Sequence, residues 1–98
     1  MHEIMKVQDA FVVPGLGLVI SGTNPELDDL DSDKIKSLIG DFVLIRSPNG
    51  KEMQFKMCGV DTPTSLIGKK NINISLGEGA KLSDIAIDSM VYSKEVAQ

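Results

Sequence analysis

Met5-Lys6-Val7-Gln8-Asp9-Ala10-Phe11-Val12-Val13-Pro14-Gly15-Leu16-Gly17-Leu18-Val19-Ile20-Ser21 is the stretch on which the fold turns. Over residues 5–13 the odd positions read Met, Val, Asp, Phe, Val and the even ones Lys, Gln, Ala, Val, a period of two. Residues 16–21 are apolar at nearly every position. Between them Pro14 presets φ, and Gly15 and Gly17 permit φ > 0, so the chain can reverse. Two strands around a tight turn are the direct reading.

The same period continues downstream. Residues 42–45 form an apolar run, and residues 52–60 place Met53, Phe55 and Met57 opposite Glu52, Gln54 and Lys56. Residues 70–76 set Ile72, Ile74 and Leu76 against Asn71, Asn73 and Ser75, and a last short strand is predicted over residues 90–92. Turn residues separate these runs: Ser47-Pro48-Asn49-Gly50, Asp61-Thr62-Pro63-Thr64 and Gly77-Glu78-Gly79. Only residues 24–39 break the pattern. There Leu27, Leu30, Ile35, Leu38 and Ile39 suit a helical stripe, with Asp31 or Ser32 as N-cap and Gly40 as terminator. Five or six strands and one small helix predict an all-β barrel or sandwich. A small closed barrel is favoured because closure leaves no exposed sheet edge.

Composition sets the outer limits. Val, Ile, Leu and Phe fill 30 of 98 positions, enough for one core in a single domain over residues 1–98. No apolar run reaches the ~20 residues of a membrane-spanning helix, and the N-terminus lacks a secretory pattern. Cys58 is the lone cysteine, so a reducing, cytoplasmic compartment is expected. The formal net charge is −4, and five of the 14 acids (Glu26, Asp28, Asp29, Asp31 and Asp33) lie in one eight-residue stretch without a base. The rest is nearly neutral and carries no basic stripe, which argues against broad nucleic-acid binding.

By Gly22 the first hairpin resembles a known pattern. Residues 7–22 are similar to V-E-D-V-F-S-I-P-G-R-G-T-V-V-T-G, the opening of the second domain of elongation factor Tu-type translation GTPases. Ile39-Gly40-Asp41-Phe42-Val43-Leu44-Ile45 resembles the family's V-G-D-x-V-x-I, Cys58-Gly59-Val60-Asp61 its T-G-V-E, and Ile67-Gly68-Lys69-Lys70-Asn71-Ile72 its A-G-D-N-V with one extra residue. Residues 84–91 resemble E-I-x-x-G-x-V, with Ser89 in place of the glycine. The resemblance implies a six-stranded closed Greek-key β-barrel of the translation-factor type, with a helical, acidic insertion around residues 26–39. No G-x-x-x-x-G-K-[ST] loop is present, so no GTPase activity is expected of this chain.

The resemblance also implies sites. In that family the barrel helps to hold the 3′ end of aminoacyl-tRNA. Its amino-acid side would fall on Asp9, Phe11, Ser21 and Asn71, and its adenine side on Val13, Val19 and Asp61. Gln8 replaces a glutamate, while Thr64 and Leu16 replace arginines, removing cations that phosphate or carboxylate recognition uses. Asp9 shares the parity of Met5, Val7, Phe11 and Val13, which predicts a partly buried carboxylate. Such a group would accept backbone N–H bonds from a neighbouring turn or contact a ligand.

The acidic stretch places acids at the first, third and fifth positions of a calcium loop counted from Asp29. Lys34 then stands at the glycine position and Gly40 at that of the closing glutamate, so a solvated helix start is the reading. The expectation is a non-catalytic binding module without cofactor or metal. It would act through a protein partner such as a GTPase or ribosome-associated factor, with Glu26, Asp28, Asp29, Asp31 and Asp33 as the contact. The alternative is a small-ligand or tRNA-end pocket near Asp9, Phe11, Asp61 and Asn71.

Overall fold

The Pro-Gly turn forms as the sequence requires. In the computed structural model, which describes residues 2–64, 69–77 and 79–93, strand β1 (His2–Val13) and strand β2 (Gly17–Thr23) pair antiparallel. Leu16 N–H donates to Val13 O at 3.0 Å, and Gly15 has φ +81°, the arrangement of a type II turn with Pro14 at its second position. Ile67, Gly68 and Glu78, which enter the sequence readings above, lie outside the described residues.

A one-turn 3-10 helix (Pro25–Leu27) leads to helix α1 (Ser32–Ile39). Asp31 is the N-cap and accepts from Lys34 N at 2.8 Å, while Gly40 ends the helix at φ +77°. Strands β3 (Phe42–Arg46) and β4 (Glu52–Lys56) form a second hairpin whose turn includes Gly50 at φ +92°. Strands β5 (Gly59–Asp61), β6 (Asn71–Gly77) and β7 (Met90–Ser93) follow. No helix among the described residues is long and apolar enough to cross a membrane.

All pairings are antiparallel, in the order β4-β3-β7-β1-β2-β6-β5. The all-β expectation holds, but two details need correction. Among the described residues the sheet has seven strands instead of six, and its ladder does not close into a barrel, because β4 and β5 stand at opposite edges and do not pair. Both differences have one origin. Residues 52–60 read as one alternating strand, yet the run changes neighbour midway. Met57 N–H donates to Asp41 O at 2.9 Å on the β3 side, and Cys58 N–H donates to Ser75 O at 2.7 Å in β6. The two edges are therefore joined by two residues, a reach of about 10 Å, and the sheet must curl to bring them together.

The concave side holds the core, with Ile4, Val7, Ile20, Val43, Ile72, Ile74 and Val91 fully buried. Helix α1 adds Ile35 and Ile39, packs against β5 and β7, and is tied down where Ser93 Oγ donates to Ile39 O at 3.1 Å. The Ser32 and Thr62 hydroxyls bond to each other beside β5.

Two bulges in β1 reset which residues face this core. Gly22 pairs with Val7 and Ser21 with Asp9, leaving Gln8 as an extra residue. Tyr92 pairs with Glu3 and Val91 with Met5, leaving Ile4 as another. Inward parity switches at Gln8: Met5 and Val7 are buried, whereas beyond the bulge Ala10 packs on the core and Phe11 faces out. The predicted burial of Asp9 is thereby overturned, since Asp9 is exposed.

Candidate functional site

Past the Gln8 bulge, the outer face of β1, β2, β6 and β5 is organised in two cross-strand rows. One row runs Asp9–Ser21–Asn73–Asp61 and the next Phe11–Val19–Ser75–Gly59, each residue pairing with the one after it. The first row is polar throughout. In the second, the large side chains of Phe11 and Val19 step down to Ser75 and to Gly59, which has no side chain at all.

That step opens a depression of about 340 Å³, lined by Phe11, Val13, Leu16 and Val19 on one side and by Asp61, Asn73 and Ser75 on the other, with Gly59 and Val60 between. Phe11 is 38 % exposed and Leu16 48 %, so the apolar wall reaches the surface. Ser75 is only 6 % exposed, and its buried Oγ has no hydrogen-bond partner among the described residues. Most buried hydroxyls are bonded, which singles this one out. An ideal Cβ on Gly59 would meet only Ser75 Cβ, at 3.9 Å, so the missing side chain leaves real space. Among the described residues no Lys or Arg lines the depression.

Of the seven residues singled out in the sequence, Phe11, Val13, Val19 and Asp61 come together here. Asp9 and Ser21 face each other one row away, and Asp9 Oδ1 accepts from Ala10 N at 2.9 Å, an exposed bond to the next residue of its own strand and not the bond from a neighbouring turn that was expected. Asn71 pairs with Thr23, two residues further along β6 from Asn73, and is not in the lining. Leu16, Gly59, Asn73 and Ser75 were not singled out as site residues. The alternation of Asn71, Asn73 and Ser75 was the available signal, because it puts all three on one face of β6. Gln8 Nε2 donates to Thr23 Oγ1 at 3.2 Å, and Thr64 forms an isolated bridge with Lys70.

The acidic stretch divides by role. Asp31 caps α1, and Asp28 fixes the approach of β6, accepting from Lys70 N at 3.3 Å while its own carbonyl accepts from Lys70 Nζ at 3.1 Å. Glu26, Asp29 and Asp33 are exposed. No group of three or more metal-ligating side chains occurs among the described residues.

Among the described residues the one clear displacement of a titration lies on the β3–β4 hairpin. There the Arg46 guanidinium is pushed further up by its hydrogen bond to and charge pairing with Glu52, with Nε to Oε2 at 2.6 Å. Arg46 also stacks over Tyr92, 5.2 Å from the ring centroid, so this cation is held by its own sheet.

The chain matches no family model, no curated protein and no solved structure.

Proposed function

We propose that the chain is a non-catalytic, cytoplasmic binding module resembling the second domain of elongation factor Tu, and that its binding element is the depression on the outer face. One observation carries this reading: the buried, unpartnered Ser75 hydroxyl in the lining of a mainly apolar hollow. Leaving such a hydroxyl unsatisfied costs on the order of 1–3 kcal/mol, which a ligand's polar atom would recover. A concave, mostly apolar site with a few convergent polar groups is the usual form of a small-molecule pocket. Four of the residues suggested by the resemblance border it. A tRNA 3′ end is the less favoured occupant, because among the described residues no cation lines the hollow to meet its phosphates.

Backbone amide NMR of the ¹⁵N-labelled protein with a fragment set tests the reading. Shifts are expected to cluster at residues 11–19, 59–61 and 73–75 and to vanish in Gly59→Val, with the rest of the spectrum unchanged. Fragments that shift no residues, or scatter over the surface, would remove the proposal.

A protein partner is the second reading, favoured by the exposed carboxylates of Glu26, Asp29 and Asp33, which unlike Asp28 and Asp31 do not hold the fold. The triple variant Glu26→Gln, Asp29→Asn, Asp33→Asn should stay folded and lose the partner in an affinity pull-down. An unchanged partner set would make the stretch a solvated surface only.

A further inference from the structure

We infer that the depression selects its ligand by charge: it takes one flat, largely apolar ring system that is neutral or singly positive, and it rejects anions. The inference rests on the small-ligand reading above and adds the chemical class.

Shape comes first. The row Phe11–Val19–Ser75–Gly59 crosses four strands, and strands lie about 4.8 Å apart, so the slot is roughly 14 Å long. Phe11 and Leu16 stand at its rim and the small residues Ser75 and Gly59 at its deep end. A ring lying against the Phe11 side chain would meet no side chain at Gly59, which pairs with Ser75 and leaves space beside it.

Charge follows from the neighbouring row. Asp61 is exposed at the edge of the hollow and Asp9 stands at the opposite end of the same polar row, with Ser21 and Asn73 between them. Among the described residues no Lys or Arg lines the hollow. A negative ligand group would lose its hydration and meet like charge with no donor fork to receive it. A positive one would meet Asp61 and the face of Phe11. At the deep end Ser75 Oγ, both donor and acceptor, would pair with a ring N–H or ring nitrogen.

The sequence makes the test simple. The chain has no Trp and one Tyr, so indole emission reports a bound probe without protein background. Indole, tryptamine and indole-3-acetate share one ring and differ in charge. Titration at neutral pH should show saturable blue-shifted emission for indole and tryptamine, with indole-3-acetate weaker than tryptamine by about tenfold or more. Higher salt should narrow that gap. Asp61→Asn should reduce the tryptamine-to-indole-3-acetate ratio, Ser75→Ala should weaken all three probes, and Gly59→Val should abolish binding. Should Gly59→Val not fold, Gly59→Ala, whose new methyl sits at ordinary contact distance from Ser75, must fold and weaken binding severalfold.

Equal affinity for indole-3-acetate and tryptamine would overturn charge selection and leave the pocket standing. If none of the probes binds while the NMR fragments still shift residues 59–61 and 73–75, the ring inference fails alone. If neither binds, the small-ligand reading falls with it.

Discussion

The two halves of β1 belong to one strand but live in different environments. Residues 4–7 are flanked by β2 and β7, and Ile4, Met5 and Val7 are buried. Residues 9–13 pair with β2 alone, and Phe11 and Val12 are 38 % and 61 % exposed. Hydrophobicity does not separate them, since both halves are rich in apolar residues. The bulges do. A buried half anchors the sheet and an exposed half carries an apolar wall that the core does not need, which is how a rigid scaffold comes to present a binding surface.

The sharpest way to break this division is Gly22→Ala. A Cβ at Gly22 would lie 2.3 Å from the Lys6 carbonyl oxygen and 3.0 Å from Met5 Sδ, so the Gln8 bulge and its partner strand must separate. Destabilisation of at least about 3 kcal/mol is expected in urea unfolding, more than overpacking usually costs, because the obstacle is backbone. Next is a pair of truncations along the strand. Ile4→Ala should cost about 3 kcal/mol and Val12→Ala less than about 0.5 kcal/mol; equal losses would mean that the halves are not distinct.

A smaller effect tests the junction. Asp9→Ala removes the acceptor of the Ala10 N–H bond and should cost about 0.5–1 kcal/mol, whereas Asp9→Asn, which keeps an oxygen there, should cost less. Smallest is Ser75→Ala, on β6, which pairs with β2 on the side away from β1. Removing a buried hydroxyl with no partner should leave stability unchanged or raise it by up to about 1 kcal/mol in the same assay. A clear loss would show that Oγ has a partner after all and would take away the main support for the pocket.

Much of this architecture was legible in the sequence, and the failures have a common cause. Local chemistry was readable: Pro14-Gly15 as a turn, Asp31 and Gly40 as the two ends of α1, Gly50 as a hairpin residue, and Met53, Phe55 and Met57 on the inward side of their run. Local chemistry acts through a residue's own dihedrals and near neighbours. What stayed hidden depends on partners far along the chain. Gln8 is an extra residue only because Gly22 and Ser21 lie opposite, so the parity of Asp9 could not be counted from its own strand. The break between β4 and β5 is likewise a change of neighbour from β3 to β6, with no composition change to mark it. The site shows the same split. Phe11, Val13, Val19 and Asp61 were singled out, but Ser75 matters because Gly59 and Val19 flank it, and Asn71 drops out because the ladder carries it two positions away.

The dipeptide Met57-Cys58 has a last consequence. Both borders of the molecule share this one covalent seam, so a single cut there would free them together. The cuff would relax and carry its two edges, β4 and β5, which do not pair even in the intact fold, further apart, leaving each more open to edge-to-edge pairing with another chain. Inserting a few glycines between Met57 and Cys58 should therefore raise the tendency of the chains to associate, read by light scattering.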